Sequence, residues 1–181
     1  MDAPMRLDKR SRSQAAQEAS VPKTQYLAFD LGGEAFAMEI RFIKEVLQYG
    51  ALTAVPLMPA FIRGVINLRG AVVPVVDLSV RFGRPPTGIA RRTCVVILEV
   101  PSPEGPVELG VMVDHVSEVL DIPETDIDPA PGFGSALRSE FLAGIGKVGG
   151  RFVILLDVGH VLSIEEMAAL AAPGAEAPAL A

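Results

Sequence analysis

Few residues of this 181-residue chain are spaced for chemistry. Gly144-Ile145-Gly146-Lys147-Val148-Gly149 has the G-x-G-x-x-G spacing of a dinucleotide loop, in which backbone N–H groups at a helix N-terminus meet a pyrophosphate. Here the strand-like run Arg151 to Leu156 follows in place of a helix, so the context is wrong. His115 and His160 lack metal-ligand spacing, and the one cysteine, Cys94, lies within a β-rich run. Asp157 and His160 are three apart, yet no G-x-S-x-G elbow supplies a nucleophile. Helix-end capping is the simpler role for that pair. Asp114 and Glu118 are four apart, without a second carboxylate pair for acid/base work. The expectation is therefore no catalytic residue, no metal ligand and no cofactor. What remains is Asn67-Leu68-Arg69, set between Gly64 and Gly70 and followed by the β-branched run Ala71 to Leu78.

Composition narrows the classes further. Apolar residues make up 50% of the chain, but no run approaches the ~18–20 residues needed to span a bilayer. The formal net charge is −6, aromatic residues are 6% and tryptophan is absent. These values disfavour a nucleic-acid groove, which interleaves cations with stacking aromatics. The segment Met1 to Ser20 carries Arg6, Lys9, Arg10 and Arg12 but no apolar core of a secretory signal. With one cysteine and no internal disulfide, a reducing cytoplasm is the expected compartment.

The elements that must hold Asn67 and Arg69 read as short strands separated by Gly/Pro turns. Residues 1–23 read as a disordered tail. Tyr26 to Asp30, Ala35 to Ile40 and Leu47 to Leu57 read as strands, with Phe42 to Val46 helical or irregular and Leu31-Gly32-Gly33-Glu34 a hairpin turn. Thr93 to Val100 and Val107 to Asp114 form a second hairpin around the loop Pro101 to Pro106. Ser163-Ile164-Glu165-Glu166 is a capping box that opens a helix over about 163–172, and 173–181 reads as a second tail.

The chain also repeats itself. Ile43-Lys44-Glu45-Val46-Leu47 recurs as Val116-Ser117-Glu118-Val119-Leu120. Phe61-x-x-Gly64-Val65 recurs as Phe141-x-x-Gly144-Ile145, and Gly70 to Leu78 as Gly150 to Val158. The reading is all-β: two related small β-barrels over about 24–84 and 92–160, plus the C-terminal helix. Positions kept in both copies, Glu45/Glu118, Gly64/Gly144, Gly70/Gly150 and Asp77/Asp157, are explained by shared backbone geometry or capping. Asn67 and Arg69 instead meet Lys147 and Gly149, so the barrel does not require them. Surplus apolar β-surface without catalytic groups is the profile of an adaptor.

The stretch from Phe61 to Gly83, with Ile43-Lys-Glu-Val, Gly110 to Leu120 and Leu155-Leu-Asp157, closely resembles the signature of the CheW family of chemotaxis coupling proteins. The similarity spans about Gln25 to Leu170. The resemblance implies that the two barrels are five-stranded and SH3-like or OB-like, packed around an apolar interior, and that the protein is a non-enzymatic scaffold. It would link methyl-accepting chemoreceptor tips to the regulatory domain of the histidine kinase CheA, itself similar to CheW. It would act in the cytoplasm at membrane-associated receptor arrays, without membrane insertion and with contacts between copies. Carried over by position, the receptor-facing groove would include Ile43, Glu45, Arg69, Cys94, Val116 and Val119, and kinase contact would fall around Thr53 and Gly64. Glu45 and Arg69 would pair. His115, Cys94 and the loop 101–106 depart from the family's usual pattern and bear on partner choice. An OB-like nucleic-acid-binding module is the alternative.

Overall fold

The computed structural model describes residues 22–50, 52–129 and 139–163. Its strands are β1 (Lys23–Leu31), β2 (Glu34–Glu39), β3 (Ile43–Gln48), β4 (Ile62–Leu68), β5 (Ala71–Asp77), β6 (Cys94–Val100), β7 (Val107–Val113), β8 (His115–Pro123), β9 (Ile127–Asp128), β10 (Leu142–Val148) and β11 (Arg151–Leu156). One-turn helices α1 (Leu78–Arg81) and α2 (Val158–Val161) follow β5 and β11. The fold is all-β. The helix expected over 163–172 and both terminal tails lie largely outside the described residues, although Lys23, expected in the first tail, already belongs to β1.

Two-residue turns close three hairpins, and both turn residues have positive φ: Gly32/Gly33 at 60° and 83°, Arg69/Gly70 at 52° and 86°, Gly149/Gly150 at 54° and 78°. This is the geometry that matches the right-handed twist of paired strands. The expected strand 47–57 is displaced. A 3-10 turn at Ile40–Phe42 leads directly into β3, and the following loop keeps only one bridge, Thr53 with Val65. Pro56 and Pro59 cannot donate to a ladder, which explains why an apolar sequence stays out of the sheet there.

The strands form a five-stranded sheet ordered β3-β6-β7-β5-β4 and a six-stranded one ordered β8-β1-β2-β11-β10-β9. Apart from the two-residue β9 the orders are equivalent, position for position. In each, a hairpin lies antiparallel to one strand (β6 on β3, β1 on β8) and parallel to another (β7 on β5, β2 on β11). The hairpin in each sheet comes from the opposite half of the chain, so the two repeats exchange their first hairpins. This corrects the expected barrels at 24–84 and 92–160: the dividing line near 84–92 marks the sequence repeat but runs through the five-stranded sheet.

Among the described residues, exchange gives three apolar cores. One face of the five-stranded sheet curls over Val73, Val75, Val95, Ile97 and Met112, and one face of the other over Tyr26, Ala37, Ile122, Val153 and Leu155. Their remaining faces share a larger core that includes Phe29, Phe36, Val96, Leu98, Val111 and Leu156. Phe29, Phe36, Phe82 and Phe141 form a ladder of rings with centroids 5.9, 5.6 and 6.1 Å apart. At the pseudo-two-fold, the Arg81 guanidinium lies over both Phe61 and Phe141, themselves repeat equivalents, and its Nε donates to the carbonyl of Val161, its own equivalent, at 2.9 Å.

Candidate functional site

The bulges are repeated with the strands. Lys44 in β3 and Ser117 in β8 are the extra residues against β6 and β1, and Arg63 and Ala143 are the extra residues in β4 and β10. Each bulge redirects a side chain. Lys44 reaches Glu108 at 2.6 Å and Glu99 at 3.0 Å, and the hydrogen bond to Glu108, then that to Glu99, raises its ammonium pKa above the ordinary value. Arg63 turns onto the buried Asp77 carboxylate at 3.0 Å. Asp77 and Asp157 both cap the short helices that follow them, as the repeat implied. His160 is a capping partner, its backbone N–H donating to Asp157 Oδ1 at 3.1 Å.

Of the residues assigned to a receptor-facing groove, Ile43, Cys94 and Val116 are partly buried and pack against the large shared core. Ile43 opens β3, Cys94 opens β6 opposite Gln48, and Val116 lies on β8 opposite Phe29. β3 and β8 are the outer strands of their sheets. Val119 projects from the same strand as Val116 and is 49% exposed. Val46 on β3, 42% exposed and passed over in the sequence, is its repeat equivalent. The signal was available, because Val46 occupies the outward phase of an alternating strand. Cys94 Sγ–H donates to the Arg92 carbonyl at 3.1 Å, and the His115 ring nitrogen Nδ1 meets Asp30 at 3.1 Å.

Glu45 and Arg69 pair through both ends of the guanidinium, Nη1 to Oε1 at 3.0 Å and Nη2 to Oε2 at 3.2 Å. The fork joins β3 to the β4–β5 hairpin, the two outer regions of the five-stranded sheet. Arg69 achieves this with φ at 52°, where the second barrel has Gly149 at 54°. A side chain in that region costs about 1–2 kcal/mol relative to glycine, whereas an ion pair whose arginine is 77% exposed returns about 0–1 kcal/mol. The fold therefore does not account for Arg69. Asn67 assists, its Oδ1 accepting the Gly70 N–H at 2.9 Å. Arg69→Gly is accordingly expected to leave stability unchanged or raise it by up to about 1 kcal/mol, measured by urea unfolding. A loss of more than about 1 kcal/mol would show the pair to be structural.

The two positions assigned to kinase contact lie together but play different parts. Thr53 is exposed, and its N–H and carbonyl bond Val65 at 3.0 and 2.9 Å. Gly64 is buried directly beneath it, where a Cβ would stand 2.6 Å from the Thr53 carbonyl oxygen. Gly64 thus supports the surface and does not form it. In the second barrel Gly144 does the same under Asp128, with a Cβ 2.8 Å from that carbonyl.

Among the described residues no group of three or more histidine, cysteine or acidic side chains could hold a metal, and no helix is long and apolar enough to cross a membrane. Fold and site define an all-β module of two exchanged barrels that share a core and carry an extra charged clamp on one of them. A sequence model of the CheW-like domain matches residues 25–166, and the chain belongs to that family. It is 39% identical to the chemotaxis protein CheW of Klebsiella aerogenes over 144 residues, covering 80% of this chain and 84% of that protein. It is 31% identical to the protein FrzA of Myxococcus xanthus over 161 residues, covering 88% and 97%. The crystal structure of the scaffolding protein TtCheW from Thermoanaerobacter tengcongensis superimposes with a TM-score of 0.69 at 31% identity, covering 77% of this chain and 88% of that one.

Proposed function

We propose that this protein is a non-enzymatic adaptor that couples methyl-accepting chemoreceptors to the regulatory domain of a CheA-type histidine kinase. It acts in the cytoplasm and is recruited to membrane-associated receptor arrays, where copies of it also touch one another. Receptor contact falls on Ile43, Glu45, Arg69, Cys94, Val116 and Val119. Kinase contact falls around Thr53, held up by Gly64. The observation that carries this reading is the Glu45–Arg69 fork, built on a left-handed arginine that the equivalent turn of the other barrel replaces with glycine. Strain kept where stability gains nothing from it points to a partner. Orientation of an interface suits such a pair better than affinity does.

The nucleic-acid alternative draws no support from the surface. Lys44, Arg63, Arg69, Arg84 and Lys147 are each engaged by a carboxylate at 2.6–3.0 Å. Cations already neutralised by the protein release fewer counterions from a phosphate backbone.

The test is Arg69→Glu, which sets a second carboxylate against Glu45 of β3 from an exposed turn and leaves every core intact. In a reconstituted receptor–kinase assay the variant is expected to lose receptor control of kinase activity while its melting transition stays within about 3 °C of the parent protein, the shift that ~1 kcal/mol gives at this size. Full receptor control by the folded variant would remove Arg69 from the site.

A further inference from the structure

Leu57 is the most exposed large apolar side chain described, at 98%, and its backbone is left-handed, with φ at 63°. It follows Pro56 in a turn, the place where a proline-led turn with positive φ at its second central residue takes glycine or asparagine. An exposed leucine alone needs no explanation. A leucine that is exposed and also strained by its own Cβ gains nothing from the fold on either count. Arg69 is the other non-glycine residue with positive φ among the described residues, and it serves the charged clamp.

The loop holds Leu57 in place. One end is fixed by the paired Thr53–Val65 hydrogen bonds, the other by Ile62 N–H donating to the Pro59 carbonyl at 2.9 Å. Pro56 and Pro59 each have their own φ fixed by the ring. Met58 beside it is 43% exposed, and no charged residue occurs between Glu45 and Arg63. Preorganisation of this kind lowers the entropy lost on association.

We propose that Leu57, flanked by Met58, is a rigid apolar prong that enters an apolar recess of the CheA-type kinase regulatory domain. The inference rests on the adaptor reading and extends its kinase side from Thr53 to Leu57. On that reading, two features of the loop select the kinase over the receptor as occupant. The prong continues the loop that carries Thr53, and it is free of charge, whereas the receptor side is marked by the Glu45–Arg69 pair.

The experiment measures calorimetric binding of the full-length chain to two probes, the regulatory domain of the CheA-type kinase from the same genome and a receptor cytoplasmic-tip fragment. Leu57→Asn removes the apolar side chain and suits the backbone, so its melting temperature should equal or exceed that of the parent. Its kinase binding should fall at least tenfold with receptor binding unchanged, and Leu57→Met should restore kinase binding. Undiminished kinase binding by Leu57→Asn overturns the prong, as does a loss confined to the receptor or to self-association measured by sedimentation. If the unsubstituted chain binds no kinase domain, the adaptor reading itself fails, an outcome distinct from a prong that proves dispensable.

Discussion

Asp77→Ala is expected to destabilise the protein by about 3–5 kcal/mol, while the equivalent change in the other repeat, Asp157→Ala, costs about 1 kcal/mol. The two aspartates begin from the same local task. Each stands at the end of a strand and donates its own backbone N–H to a phenylalanine carbonyl, Asp77 to Phe61 at 2.7 Å and Asp157 to Phe141 at 2.8 Å, and each caps a one-turn helix. They then diverge. Asp77 is fully buried and accepts from Ser79 N–H at 3.1 Å, Thr87 N–H at 2.9 Å, the Thr87 hydroxyl at 2.7 Å and Arg63 at 3.0 Å. Asp157 is 38% exposed, and among the described residues its side chain is met by the backbone and ring of His160.

Removing the buried carboxylate leaves a partly buried guanidinium and three donors without their acceptor. It also releases the segment around Thr87, which the carboxylate ties to the five-stranded sheet. That segment connects β5 to β6, the point at which the chain passes into the exchanged hairpin. Urea unfolding of the two alanine variants reads the difference directly. Equal losses would mean that the Thr87 contacts add nothing beyond the cap.

How far the sequence revealed this arrangement depends on the scale of the feature. The repeat was legible because strand, bulge glycine and capping aspartate recur together, from Gly64 and Asp77 to Gly144 and Asp157. The exchange of hairpins was not. Lys23–Leu31 with Glu34–Glu39, and Cys94–Val100 with Val107–Val113, are both apolar and antiparallel within themselves, and neither pattern specifies which half supplies the third and fourth strands. Only the long-range parallel pairings of β2 with β11 and β5 with β7 decide it.

At the site, Arg69 stood out because its repeat equivalent is glycine, and the Glu45–Arg69 pair found in the structure agrees with the pairing the family resemblance implied. Leu57 is not legible, for the opposite reason. Val55-Pro56-Leu57-Met58 reads as apolar strand sequence, and nothing in residue type tells a buried leucine from one held in solvent by a left-handed turn. Gly64 was correctly tied to backbone geometry by its recurrence, yet its position beneath Thr53, which separates supporting a surface from forming one, is a tertiary fact.

That distinction yields the second large effect. Gly64→Ala is expected to cost about 2–3 kcal/mol and, under the kinase contact proposed around Thr53, to weaken kinase binding at least tenfold. The new Cβ would stand 2.6 Å from the Thr53 carbonyl oxygen and 3.2 Å from Leu52 Cβ, at a φ of 155°. The nearest atom belongs to backbone paired with Val65, so it can retreat only by breaking both bridge hydrogen bonds. The strand-side anchor of the loop that carries Thr53 and Leu57 would then be lost. Gly144→Ala supplies a matched comparison, because its Cβ would meet the Asp128 carbonyl oxygen and Ile127 Cγ2, both at 2.8 Å, in the other barrel. A similar loss of stability is expected from it, with kinase binding retained at temperatures where the variant is folded. If the two alanines weakened kinase binding equally, the effect would belong to stability alone, and the proposed kinase contact of the Thr53 loop would fall.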